Sequence, residues 1–341
     1  LLDVAIPPTT GYTSQIQNIG STSNRGVEFQ INASPVSNKN FTWTSNFNIS
    51  FNKNRVENLG GVTQLERNSN WQGSDGIPDF LVKVGQPAGQ MYGFVTDGFY
   101  KIEDFNYSAG VYTLKTGIPS ITINGNPQPG VLKWKDISGP NGVPDGVISA
   151  DYDRTVIGDA NAKFTGGWNN QFAYKNFDMS VFVNFVYGND IYNANKVEWT
   201  DGSFSNINML NIMKDRWTNI NANGQVVTDP TELGALNANA KIWTPVRSQR
   251  WWLHSWAIED GSYLRFNNLT VGYTLPKAIT AKAKISSFRV YATVNNLGTI
   301  TNYTGYDPDV TARRSDPLTP GVDFAAYPRS RTWVFGLNVT F

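Results

Sequence analysis

Three observations predict an all-β chain, and specifically a transmembrane antiparallel β-barrel. Apolar and polar residues alternate with period two over long stretches. The polar partners are mostly Asn, Thr, Ser and Gln rather than Lys and Glu, as a hydrated lumen would require. The connections alternate between short turns and very long loops, the arrangement of outer-membrane barrels.

The strands follow in order. Val27, Phe29, Ile31 and Ala33 alternate with Glu28, Gln30 and Asn32. A polar turn, Ser37-Asn38-Lys39-Asn40, leads into Phe41, Trp43, Phe47, Ile49 and Phe51, set against Thr42, Thr44, Asn46, Asn48, Ser50 and Asn52. Two such runs joined by a short turn make a hairpin. Trp168, Phe172 and Tyr174 form the next run, and Lys175-Asn176 turns the chain. Phe177, Met179, Val181, Val183, Phe185 and Tyr187 then share a face. Leu269, Val271, Tyr273 and Leu275 make another, and Phe288, Val290, Ala292 and Val294 another. Trp333, Phe335, Leu337, Val339 and Phe341 complete the series as the closing, barrel-assembly strand, with Val334 the one apolar residue on its polar face. Between these runs lie four long connections, roughly 60–81, 104–162, 188–259 and 296–328, of a length that is usually functional. Ile207, Leu210, Met213 and Trp217 have helical spacing, which predicts a short helix in the third.

Composition agrees. Charged residues are 16% of the 341, against about 25% in an ordinary soluble domain. Mean hydropathy is −0.35, and alternation keeps this value low in a barrel. No stretch approaches the ~18 consecutive apolar residues of a membrane helix. A net charge of +1 gives no footing for nucleic acid. Without cysteine there is no disulfide framework and no thiolate metal site. Leu1-Leu2-Asp3-Val4-Ala5-Ile6-Pro7-Pro8 reads as the tail of an element already under way, so a piece of a longer chain is expected.

Ordered motifs now add a resemblance. They begin with Asn18-Ile19-Gly20 and Asn24-Arg25-Gly26-Val27-Glu28, then Val84-Gly85-Gln86-Pro87, Tyr92-Gly93-Phe94 and Asp97-Gly98-Phe99-Tyr100. Val156-Ile157-Gly158-Asp159-Ala160, Phe164-Thr165-Gly166-Gly167-Trp168, Glu259-Asp260-Gly261-Ser262-Tyr263-Leu264-Arg265 and Asn295-Asn296-Leu297 follow. Gly305-Tyr306-Asp307-Pro308 and Tyr327-Pro328-Arg329-Ser330-Arg331-Thr332 end the set. In this order they resemble the SusC/RagA family of TonB-dependent outer-membrane transporters over almost the whole chain. The resemblance implies the C-terminal portion of a 22-stranded plugged barrel with long extracellular loops, of which about eight to ten strands are legible. It places the plug, the N-terminal barrel strands and the TonB-contacting segment outside residues 1–341. It further implies energised import of oligosaccharides or peptides across the outer membrane of a Gram-negative, Bacteroidetes-like bacterium. A SusD-like surface lipoprotein, TonB and outer-membrane lipid would be the partners.

Candidate sites are few. Trp199, Trp243, Trp251, Trp252 and Trp256 crowd the third long loop and its exit. Indole faces stack on sugars and bury amphipathic surface, so Trp199, Trp243, Trp251 and Trp252 are candidates for substrate or partner contact. For any single one, interfacial anchoring or loop packing is the favoured reading. The Asp136–Asp153 segment offers calcium-type oxygen ligands, namely Asp136, Asn141, Asp145, the Val147 carbonyl and Asp151. Val143 and Tyr152 stand where such a loop needs acids, so a plain surface turn is favoured. His254 is the only histidine and reads as an ordinary interfacial polar group. Arg247, Arg250, Arg313 and Arg314 read as solvated loop charge. Glu259 and Asp260 are adjacent, so in a strand they face opposite sides and make no glycosidase pair. No hydrolase or nucleotide-binding motif occurs, and no enzyme is expected. The competing function is a soluble or surface all-β glycan-binding or adhesive protein.

Overall fold

The computed structural model describes residues 2–341 except 6–8, 10, 12–13, 18–19, 72–75, 124–125, 203–205, 207, 246–251 and 312–315. Seven strands form one sheet: Gly20–Ser37, Phe41–Leu59, Phe164–Tyr174, Phe177–Tyr187, Tyr263–Thr274, Ser287–Thr301 and Thr332–Thr340. Each pairs antiparallel with its neighbour in sequence, so the wall is a plain meander. A short pair, Leu2–Ala5 with Ser14–Gln17, precedes it. Every run named from alternation lies in this wall, which has seven described strands rather than the eight to ten expected, because the remaining short strands belong to the loop sheets. No described helix is long and apolar enough to cross a membrane.

Register carries the apolar face across the sheet. Phe29 pairs with Ile49, Phe47 with Trp168, Trp168 with Val183, Val181 with Leu269, Leu269 with Val294, and Val294 with Trp333. Since side chains alternate strictly, partners on neighbouring strands share a face. Much of this face is bare: Phe29, Ile31, Phe335 and Leu337 are all more than half exposed. Aromatics rim both ends. Phe177 and Tyr273 meet at 4.6 Å near the short turns, and Phe164 and Tyr187 at 4.9 Å near the long loops. The apolar stretch from Phe41 to Phe51 rises ~3.3 Å per residue. At a strand tilt of ~40° it is about 25 Å tall, the height of an outer-membrane apolar band.

The opposite face is polar and internally bonded. Thr270 and Thr293 share a hydrogen bond of 2.8 Å, and Asn268 donates to Asn295 at 2.8 Å. Arg289 donates to Asp178 across the intervening strand. That bridge needs Gly272, because a Cβ there would sit 2.4 Å from the guanidinium and 2.6 Å from the carboxylate. The two faces predict opposite responses to one substitution. Phe335→Arg will cost ~2–4 kcal/mol at mid-bilayer depth, whereas Thr332→Arg on the inner face, opposite the uncharged Asn295, will stay within ~0.5 kcal/mol. Urea unfolding in lipid vesicles measures both.

Most of the buried core lies in the loops, not in the wall. One cluster joins Trp71, Phe80, Met91, Tyr192, Ala194, Val197, Leu253, Ala257 and Val322. Another joins Phe94, Tyr100, Phe105, Ile121, Leu132, Trp134 and Ile148. The long connections are therefore folded, with small sheets of their own such as the set containing Gln64–Arg67, Phe80–Lys83, Gln90–Phe94 and Arg154–Asp159. In place of the helix expected around Leu210 and Met213, a single 3₁₀ segment, Asn211–Asp215, forms. The pattern is broken because Trp217 leaves the helical face to pack with Val227 and Leu233, and Ile207 lies outside the described residues.

Candidate functional site

The loop end of the wall is assembled around stacked rings. Phe94 and Trp134 lie 4.0 Å apart and nearly parallel, at 5°. Trp252 meets Phe94 edge-on at 5.7 Å. Trp243 meets Trp256 at 5.0 Å and His254 at 5.4 Å. Lys196 sits over Trp256, 4.2 Å from the ring centroid. The structure thus gathers Trp243 and Trp252 into the loop core, with much of each ring already engaged by protein. Trp199 stands apart at the end of the helix Ala194–Glu198. Trp251, Arg247, Arg250, Arg313 and Arg314 lie outside the described residues.

His254 is not an interfacial group. It is 4% exposed, surrounded by Trp134, Trp243 and Trp256, and its Nδ1 lies 2.8 Å from Thr96 Oγ1. Burial disfavours the imidazolium and Lys196 repels it, so the pKa is pushed down to about 3 and the ring is neutral. Asp79 shows the reverse effect. It is buried beside Ser69, whose amide and hydroxyl both donate to it. Desolvation outweighs those bonds and pushes the carboxyl up to about 7.

The backbone also closes tightly here. The Phe94 amide donates to the Leu253 carbonyl at 2.9 Å, and a Cβ on Gly93 would lie 2.2 Å from that oxygen. Only glycine lets these segments approach. Gly93→Ala will lower stability by about 1–3 kcal/mol, read as a fall in Tm in detergent, while Gly298→Ala, with open space around it and no positive φ, controls for the loss of a glycine without a clash.

The Asp136–Asp153 segment is organised by Asp153. This buried carboxylate accepts from the Ile137, Ser138 and Ser149 amides at 2.8, 3.2 and 2.7 Å. Asp136 accepts from the Gly146 amide and Asp145 from the Val147 amide, while Asn141 and Asp151 are exposed. Among the described residues, no group of three or more His, Asp or Glu is placed to hold a metal ion.

A charged network escaped the reading of the sequence. Arg265, on the wall strand Tyr263–Thr274, is 2% exposed. Its guanidinium donates to Asp307 and lies 3.5 Å from Asp309. Arg329 reaches the same two acids, at 3.1 and 2.5 Å. Arg265 Nε also donates to Thr299 at 3.1 Å, and the guanidinium covers the Tyr263 ring at 4.8 Å. Two arginines and two aspartates thereby fasten the loop after Thr301 to the inner wall. Beside them Tyr306 and Tyr327 project freely, 67% and 91% exposed. Asp307 and Arg329 both stand in the quoted motifs, but nothing local in those motifs shows that they meet.

Comparison with known proteins completes the picture. No protein-family model matches the chain. TonB-dependent receptor P3 of Formosa agariphila is 33% identical over 98% of the chain. TonB-dependent receptor SusC of Bacteroides thetaiotaomicron is 28% identical over all of it. The chain spans about 30% of the first of these relatives and 29% of the second. Among solved structures, the RagAB peptide importer in its open-open state matches all of the chain and 31% of its own, with a TM-score of 0.69 at 21% identity. The closed-closed state matches 99% of the chain at 0.67. Motif order, a meander with one lipid-type face, and similarity from end to end converge: this chain is a segment of a SusC/RagA-like TonB-dependent receptor.

Proposed function

We propose that the chain forms part of the wall and mouth of an outer-membrane nutrient importer. The reading rests on one observation above all. A sheet with a bare apolar face about 25 Å tall and an amide-rich opposite face carries its long folded loops at one end and short connections, the longest 275–286, at the other. Lipid is the partner for the first face and a hydrated lumen for the second. The loops form a substrate chamber, and a SusD-like lipoprotein lies over it. TonB supplies energy through parts of the receptor other than this wall. Peptides are one substrate class, by similarity to the RagAB peptide importer, and oligosaccharides the other, as the family resemblance implies. A soluble adhesin is disfavoured, since water would have to wet Phe29, Ile31, Phe335 and Leu337 together.

The test is uptake. A strain lacking the gene is complemented with wild type or with an empty vector, and accumulation of labelled oligosaccharides and peptides is followed. Complementation will restore uptake of one class, and a protonophore will abolish it. Unchanged accumulation in the deletion strain for both classes would overturn the reading.

A further inference from the structure

A three-stranded sheet ties two long loops together, and it buries two oxygens that have no donor among the described residues. Its central strand, Asp190–Asn193, pairs antiparallel with Ile258–Asp260 and parallel with Val322–Asp323. Asn193 and Asp323 are register partners, so their side chains share a face. Ile191 is the partner of Glu259, and by the same alternation Glu259 lies on that face too.

Asn193 is 2% exposed and Asp323 1%. The Asn193 amide donates to Glu259 at 3.0 Å, which fixes which end of the amide is oxygen. Its Oδ1 is buried with no hydrogen-bond partner among the described residues. Asp323 Oδ2 accepts from the Tyr303 hydroxyl at 2.6 Å, while its Oδ1 is buried and likewise without a partner. Flipping the amide does not help, because it would turn Asn193 Oδ1 toward the Glu259 carboxylate. Glu259 is fully engaged already, by Thr304, Asn193 and Lys196, the last at 3.2 Å. Among the described residues, two carboxylates and one ammonium leave this buried patch one negative charge in excess. Burying such a charge without compensation costs several kcal/mol.

We propose that Asp323 Oδ1 and Asn193 Oδ1 bind a hard, oxygen-seeking cation of the calcium or sodium class. Carboxylate and amide oxygens are the side-chain ligands such ions take, with backbone carbonyls and water completing the shell. The ion neutralises the excess charge and locks Val322–Asp323 against the central strand. It thereby joins the loop after Tyr187 to the loop after Thr301. The site is separate from the Asp136–Asp153 segment.

The experiment follows Tm of the purified protein in detergent after chelation and exchange into choline chloride. One arm adds calcium chloride and the other adds sodium chloride. One arm will raise Tm by about 2–4 °C, and elemental analysis will find one such ion per chain. Asp323→Asn removes the charge and will abolish the rise. Asn193→Ala, a second route to the same loss, guards against a variant that fails to fold. Asp136→Asn, in the other oxygen-rich loop, will keep the rise. Tm of the wild type unmoved by either cation would overturn the proposal. So would a rise that survives in Asp323→Asn, or one that disappears in Asp136→Asn alone.

Discussion

Replacing Arg265 with alanine will destabilise the protein by about 3–5 kcal/mol, the cost of stranding a buried ionic partner. Asp307 is 6% exposed and, among the described residues, would keep the half-exposed Arg329 alone as a counter-charge. Arg265→Lys will recover part of the loss, since an ammonium cannot span Asp307 and Asp309 as the guanidinium does. Arg329→Ala will cost less, about 1 kcal/mol, because its side chain is 46% exposed and water takes over. A double-mutant cycle with Asp307→Asn, read from denaturant midpoints, isolates the coupling. If Arg265→Ala unfolds within ~0.5 kcal/mol of wild type, the network does not hold the loop to the wall. The same variant should raise protease sensitivity after Thr301 while leaving Phe41–Leu59 protected.

The second large effect appears only when pH is varied. Asp79 holds its proton to about pH 7 in the folded chain, against 3.8 for an ordinary aspartate carboxyl. The folded state therefore binds more protons between those values. Its contribution is full below pH 3.8, falls as pH rises, and levels off above 7. His254 has a folded pKa of about 3 against 6.5 for the free group, so its contribution is full above 6.5 and lost as pH falls toward 3. The two slopes oppose each other over pH 4–6.5, each at most ~1.4 kcal/mol per pH unit. Asp79→Asn keeps an acceptor for the Ser69 amide and can never charge. Above pH 7 it will be more stable than wild type, by up to ~4 kcal/mol. Below pH 6.5 it will expose the His254 slope alone, so its Tm will fall steeply on acidification. Parallel Tm–pH curves for the two proteins would show that Asp79 ionises freely in the fold.

The wall was legible because its physics is local. A side chain two residues along must meet the same solvent, so Phe177 to Tyr187 announce their face without reference to anything else. The loops carry no such period. Phe94 is held by Trp134, Leu253 and Trp252, and those contacts span 40 to 159 positions along the chain. The Trp residues were visible as a group, but their engagement inward could not be read without the stack at Phe94. His254 was misplaced for the same reason: its surroundings come from three separate segments. Arg265 looked like one more polar residue in an alternating strand, and only the returning loop with Asp307 and Asp309 shows why it is an arginine.

Every strand of the wall is bonded to the one made just before it. A ribbon laid down in this order never requires a late segment to thread between two early ones. Each new hairpin has only to lie down on a finished edge, and the folded loops can be carried across whole or built last. Growth by accretion of this sort is open to a machine that handles one hairpin at a time. A Greek-key wall of the same size would deny it that route.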